Sequence, residues 1–470
     1  MDAVSLDPAD LGLLAPIWAG TPAASATGDA ALVRALLEVE LAWIAAQVDV
    51  GLASEAELRT ATGVARGWSP DLAALAARGA DGANVLIPLL KDFRARLGEA
   101  NGGPVAALHR GATSQDIIDT ALVLLAREAG ERTLAELRAA ADALAELAER
   151  HRDDVCIARS LTQHALPITI GHRVARWMLA LDDAADGLAA DLASLPLQWG
   201  GAAGTLASLV DSFRSRGAAD AEGATAALVA GLAGRLGLAA PPTAWHTRRA
   251  PVTRIAAALA EAIAACGKLA SDVLVLARPE IAELAEPQAP GKGGSSAMPH
   301  KRNPVLSVLI KEAALEAPGH LSALFLAAGQ AVDERPDGAW HAEWQALRSL
   351  LRLAGGAAAN TRELARGLQV FPARSLEVAG LFGDVVLSER LAARLGPALP
   401  GGKARLEELV AASLDGGAPL RAALRAALSP EALSDTDLDS LLDPAQYLGL
   451  ASSEVDALVA LHRSRKDPSA

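Results

Sequence analysis

The chain is predicted to be all-α with long helices at its centre, and three observations predict it. Its 470 residues are 51% hydrophobic but only 3% aromatic, so the core must be built from Ala, Leu and Val, a mixture that favours helix. Apolar residues recur at steps of three and four over segments longer than about 25 residues, and helices of that length suggest a bundle, because their apolar stripes must pair with one another. No strand-rich region and no internal repeat stands out.

In chain order, residues 1–108 read as an N-terminal domain of short helices and turns. Its best helix runs from Ala30 to Val50, where Leu32, Leu36, Val39, Trp43 and Ile44 recur at helical spacing, with Thr27 or Asp29 as the cap. Gly102-Gly103-Pro104 punctuates the chain. Residues 109–355 read as the central long-helix domain. From Ile117 to Arg150, Leu122, Leu125, Leu134, Leu137, Leu144 and Leu147 keep the helical period and Gly130 interrupts it. Segments 166–191, 251–285 and 305–330 are periodic in the same way, and their stripes are broad enough to bury against other subunits. Gly355-Gly356 is read as the second boundary. Residues 356–470 then form a smaller helical domain, broken at Pro400-Gly401-Gly402 and Asp443-Pro444.

Composition also narrows the function. A net charge of -13 argues against a nucleic-acid partner and requires local Arg and Lys to hold any anionic ligand. No apolar run approaches ~18 residues without a charge, and the N-terminus lacks a basic stretch followed by an apolar one, so neither a membrane span nor a secretory signal is expected. Cys156 and Cys266 lie in helical-looking segments and read as buried thiols of a reducing cytosol, with a disulfide as the alternative. The histidines show no metal-ligand spacing. The P-loop spacing is absent after Gly291-Lys292. Neither a metal nor a cofactor is therefore expected.

Gly291-Lys292-Gly293-Gly294-Ser295-Ser296-Ala297-Met298-Pro299-His300-Lys301-Arg302-Asn303-Pro304 cannot be helical, because three glycines and two prolines interrupt it. The loop 291–304 brings two hydroxyls, backbone N–H groups and a cation together. That set suits removal of a proton beside a carboxylate and stabilisation of the charge that develops. From Gly294 to Pro304 it resembles, at every fixed position, the Gly-Ser-Ser-x-Met-Pro-x-Lys-x-Asn-Pro signature of the fumarase/aspartase superfamily.

Two further clusters resemble that superfamily. Thr113-Ser114-Gln115-Asp116 opens the long helix. It reads either as a cap with an acid in the first turn or as a carboxylate-binding helix N-terminus. Arg159-Ser160-Leu161-Thr162-Gln163-His164 resembles the Gly-Arg-Thr-His-x-Gln segment, with two departures: Ser160 stands where the lyases keep Thr, and Leu161 where they keep His. His164, three residues on, is not assumed to replace it. The Glu that those lyases often place five residues after the loop Asn, to orient the His, is here Val308. Loss of both halves points to a leaving group that needs no acid, such as a carboxylate with a conjugate-acid pKa near ~4.

Gly200-Gly201-Ala202-Ala203-Gly204-Thr205, Trp245-His246-Thr247-Arg248-Arg249 and the stretch from Glu334 to Trp344 resemble the 3-carboxy-cis,cis-muconate cycloisomerase branch, while Arg374 to Gly383 departs from it. The tryptophans Trp340 and Trp344 also fit a helix-face core pair, and Arg248, Arg249 and Arg335 also fit solvated or capping charges. What the resemblance implies is three mostly helical domains, a cytoplasmic homotetramer with active sites shared between subunits, and interconversion of 3-carboxy-cis,cis-muconate and 4-carboxymuconolactone in aromatic-acid breakdown. It implies Ser295 as the proton-transfer group assisted by Ser296, and Lys301 and Asn303 on the carboxylate that becomes an aci-carboxylate. Thr113, Ser114, Ser160 and Gln163 would position the other carboxylates of a polycarboxylate substrate, with Arg159, Arg248 and Arg335 as cationic support. The alternatives are a lyase of the adenylosuccinate or argininosuccinate type and a non-catalytic protein on the same scaffold.

Overall fold

The computed structural model describes residues 11–289, 291–294 and 298–465. Its long helices are α1 (Asp29–Asp49), α2 (Ser114–Arg150), α3 (Ile170–Ala193), α4 (Ala250–Leu276), α5 (Val305–Gly329) and α6 (Gly338–Gly367), and the last helix is α7 (Ala451–Ser464). Among the described residues no helix is long and apolar enough to cross a membrane. The described residues gather into two compact units. The first draws on Met1–Glu136, Ala184–Ala264 and Glu312–Ala359, the second on Leu137–Asp183, Ala265–Lys311 and Asn360–Ala470. Each of α2 to α6 supplies residues to both.

In the first unit, α1 buries Leu36, Val39, Trp43 and Ile44, the expected stripe. Its cap is not the expected one. Gly28 holds the cap position without a side-chain bond, and the Thr27 hydroxyl donates instead to the Ala23 carbonyl at 2.7 Å. The glycines Gly355 and Gly356 do not break the chain, because α6 runs through them. A Cβ on Gly355 would lie 2.5 Å from the Ala23 Cβ, and one on Gly356 2.4 Å from the Ile17 carbonyl oxygen. This pair is therefore a close-packing surface of a helix rather than a turn.

The second unit contains strands that the periodicity did not reveal: β1 (Val155–Ser160) and β2 (Gln163–Thr169) pair antiparallel, and β3 (Leu284–Ala285) pairs with β4 (Gln369–Val370). Cys156 thus lies in a strand, not a helix. The helix expected from 166 starts at Ile170, because Pro167 cannot occupy a helix interior and the β-branched Ile168 and Thr169 suit a pleated ladder. The helix expected to reach 285 ends at Leu276, shortly before Pro279 excludes helical geometry at Arg278. The late breaks fall where expected: one helix ends at Leu395 and the next starts at Gly402, and another ends at Leu442 before Pro444. Leu391, Leu395, Leu406, Leu424 and Leu438 form the core of this C-terminal part. Both cysteines are free and buried.

Candidate functional site

In the first unit the site is organised around Asp116. Three α1 side chains hold the segment that precedes it: Trp43 Nε1 donates to the Arg110 carbonyl at 2.9 Å, Gln47 Nε2 donates to the Ala107 carbonyl at 2.8 Å, and buried Glu40 accepts from the His109 N–H at 3.0 Å. The chain then enters α2 at Ser114, with Thr113 in the cap position. Asp116, two residues further into the first turn, accepts from the Thr113 N–H at 3.0 Å, half of a capping box. Its fully buried carboxylate also accepts from the Gly200 and Gly201 N–H groups at 2.9 Å each and from Gln198 Nε2 at 3.1 Å, and it lies 2.9 Å from His246 Nε2.

One carboxylate therefore joins three of the segments singled out in the sequence. The glycines are required there: a Cβ on Gly200 would lie 3.0 Å from His246 Cε1 and 2.4 Å from the Ala244 Cβ, and Gly201 has φ +66°. Sequence reading placed Asp116 only as a first-turn acid. The missed signal is its position three residues after the cap, where a side chain reaches back to backbone donors.

Thr113 and Arg335 are brought together, with Arg335 Nη1 donating to the Thr113 hydroxyl at 2.6 Å. Ser114, the first residue of α2, is half-buried. Of the two neighbouring arginines, Arg248 is exposed and Arg249 is buried. Arg249 donates from Nη1 to Asp119 at 2.7 Å and from Nη2 to Glu343 at 2.6 Å. Burial works against its charge, but Asp119 and Glu343 more than restore it, so it stays a cation. Two carboxylates share that one guanidinium, and burial pushes Glu343 up from the ordinary carboxylate range. Trp340 and Trp344 pack edge to face at 4.8 Å, the core pair, and Trp340 Nε1 donates to Asp119 at 2.8 Å. Arg249 thus serves the framework, not a ligand.

In the second unit, Ser160 pairs with Gln163 and Arg159 with His164 across the β1–β2 hairpin. Leu161 and Thr162 form its two-residue turn with φ of +48° and +73°, the left-handed pair such a turn demands. Leu161 is 94% exposed at the tip. His164 sits back on the strand against Phe382, ring centroids 5.2 Å apart, and burial followed by the Arg159 charge pushes its pKa down. It does not occupy the position of the absent His. Arg159 pairs with the buried carboxylate of Glu283, which also takes Arg173 Nη1 at 3.3 Å.

Ser295 and Ser296 lie outside the described residues. The Asn303 N–H donates to the Gly293 carbonyl at 2.8 Å, and Gly294 bridges Arg302. Gly293 has φ +69°, and a Cβ there would lie 2.5 Å from the Asn303 carbonyl oxygen. Glu286 caps α5 from outside the helix, accepting from the Leu306 N–H at 3.1 Å and the Ser307 N–H at 2.7 Å. No local pattern reveals that role across some twenty residues. Lys301 is exposed, Asn303 half-buried, and Val308 is 52% exposed in the first turns of α5. Among the described residues no group of His, Cys, Asp and Glu is arranged to hold a metal.

This fold, with its signature loop and capped helix entry, is that of the fumarase/aspartase superfamily, to which the chain belongs. The family model described as lyase matches residues 90–319. The chain is 42% identical over 457 residues to a nitrosuccinate lyase of Streptomyces davaonensis, covering 96% of this chain and 94% of that protein. It is 36% identical over 450 residues to a 3-carboxy-cis,cis-muconate cycloisomerase of Pseudomonas aeruginosa, covering 94% and 95%. The crystal structure of 3-carboxy-cis,cis-muconate lactonizing enzyme from Pseudomonas putida superposes with a TM-score of 0.83 at 33% identity, covering 94% of this chain and 97% of that one.

Proposed function

We propose that this enzyme breaks a bond to a weakly basic leaving group β to a carboxylate, without a dedicated general acid. The observation that carries the reading is the hairpin tip: Leu161 stands exposed where a proton-donating His would be, Val308 replaces its Glu partner, and His164 is turned back against Phe382. An amine or alkoxide leaving group needs a proton, whereas an anion whose conjugate acid is about as strong as a carboxylic acid, pKa near ~4, leaves unaided.

Nitrite is such an anion, and the likeness to nitrosuccinate lyase favours it. In this reading Ser295, activated by nearby N–H groups and Lys301, takes a proton from the carbon beside one carboxylate, with Ser296 hydrogen-bonding. Lys301 and Asn303 hold that carboxylate as it becomes an aci-carboxylate. The C–H electron pair becomes the C=C bond of fumarate, and the C–N pair departs with nitrite. Thr113, Ser114, Ser160 and Gln163 position the second carboxylate, with Arg159, Arg248 and Arg335 in support. A homotetramer with active sites shared between subunits, a three-part division of the chain with its first boundary near residue 108, and a cytoplasmic setting belong to the same proposal.

The second reading is the cycloisomerase, favoured by the Gly338-to-Trp344 string and by the relatives that carry that name. Its electron flow is the same, with a carboxylate leaving as the lactone opens. Assaying the purified enzyme on both compounds separates them. Nitrite and fumarate appearing together from nitrosuccinate support the first reading; loss of the conjugated diene absorbance from carboxymuconate supports the second. Turnover of adenylosuccinate or argininosuccinate alone refutes the leaving-group argument. Ser295→Ala is expected to lower kcat by several orders of magnitude with folding intact, and near-normal turnover would remove Ser295 from its role.

A further inference from the structure

An open cavity of about 810 Å³ lies within the second unit, between α3 and α4 and beneath the β1–β2 hairpin. Its chemistry is unlike that of the chain as a whole. In a protein of net charge -13, the cavity is lined by Arg159, Arg173, Arg176, Lys268 and Arg278, against a single lining carboxylate, Asp272. Three of these cations are already engaged: Arg159 and Arg173 with Glu283, and Lys268 with Asp272. Arg176 and Arg278 have no side-chain ion pair among the described residues. The field is felt nearby: burial pushes His172 down, and Arg176 and Arg173 push the same way against Glu454. Like charges held together at the wall of a cavity repel unless an anion lies among them, and guanidinium groups match carboxylate oxygens in pairs.

We propose that this cavity is a binding site for a small dicarboxylate, with Arg176 and Arg278 as its anchoring groups. Trp177 gives one wall an apolar surface, with its indole N–H committed to Asp272 at 2.8 Å, so the cavity suits a carbon chain carrying a carboxylate at each end better than a bare inorganic ion. The proposal rests on the proposed function only in the class of anion. The ligand would be of the same class as the substrate or product, and occupancy would tie the hairpin that carries Ser160 and Gln163 to the level of that anion.

The test is a calorimetric titration of the full-length enzyme with succinate at low ionic strength, run on three forms: unmodified, Arg176→Glu with Arg278→Glu, and Lys301→Ala with Asn303→Ala. The expected result is that charge reversal weakens one succinate site at least tenfold, whereas the loop variant keeps that site. Arg176→Gln with Arg278→Gln, which removes charge without reversing it, should give a smaller loss, and circular dichroism checks that each variant is folded. Binding that survives both arginine variants and disappears in the loop variant overturns the proposal, because succinate would then report only the signature loop. No succinate binding by the unmodified enzyme overturns it as well. Inorganic phosphate at matched ionic strength is the control, and phosphate binding as tightly as succinate refutes the dicarboxylate assignment. Turnover is measured separately, so failure here and failure of the proposed reaction are distinguishable.

Discussion

Truncating Glu286 should loosen the end of the signature loop without unfolding the protein. Its two carboxylate oxygens satisfy the Leu306 and Ser307 N–H groups, at 3.1 and 2.7 Å, in the first turn of α5. Both residues are buried, so Glu286→Ala leaves two donors without partners away from water. An orphaned buried donor costs about 1–3 kcal/mol, and some of that is recovered if the first turn frays and admits water, so the local loss should be about 2–4 kcal/mol. At 1.4 kcal/mol per factor of ten, amide exchange at Leu306 and Ser307 should quicken roughly 30- to 1000-fold. Glu286→Gln keeps one acceptor and should show about half the effect in free energy. Hydrogen–deuterium exchange on peptides spanning 302–310 reads this directly. Asn303 and Lys301 lie immediately before this turn, so kcat should fall in step with protection. Unchanged exchange at these two amides in Glu286→Ala would refute the capping argument, and loss of protection throughout the chain would show that Glu286 has a global role instead.

Three further outcomes are expected. Asp116→Asn places an amide N–H₂ against donors that now meet carboxylate oxygens, including the Gly200 and Gly201 N–H groups; it should cost about 3–5 kcal/mol of stability, read by denaturant midpoint, and lower kcat/KM at least tenfold. Cys156 and Cys266, 0% and 1% exposed, have thiols that burial pushes up to about 11, so both should resist a thiol-titrating disulfide reagent near pH 8 until the chain is unfolded. His164 and His172 are both pushed down by burial, so below their unfolded value near ~6.5 the unfolded chain takes up protons that the folded one refuses. Their contribution is complete above that pH and lost as the pH falls through the folded values; His164→Asn with His172→Asn should flatten the decline in melting temperature as the pH falls below about 6.5.

Local chemistry sufficed for much of this molecule. The 3.6-residue period placed α2, α5 and the core face of α1, because an amphipathic helix must present one apolar stripe whatever it packs against. The glycine and proline pattern marked 291–304 as a loop, and its match from Gly294 to Pro304 placed the chain in its superfamily. Leu161 and Val308 were legible as departures that narrow the chemistry. What the sequence left open depended on partners distant along the chain. The β1–β2 hairpin exists because two short strands pair, and its left-handed turn at Leu161 and Thr162 lacks the Asn or Gly that usually signals one. Gly355-Gly356 reads as a break until the backbone near Ile17 and Ala23 is seen pressed against it. Arg248 and Arg249 are equivalent as letters; the turn into α4 buries Arg249 between Asp119 and Glu343 and leaves Arg248 outside. The Asp116 and Glu286 carboxylates find their roles only on backbone N–H groups brought to them by tertiary packing. A buried donor must be satisfied, but the fold alone determines which acceptor reaches it.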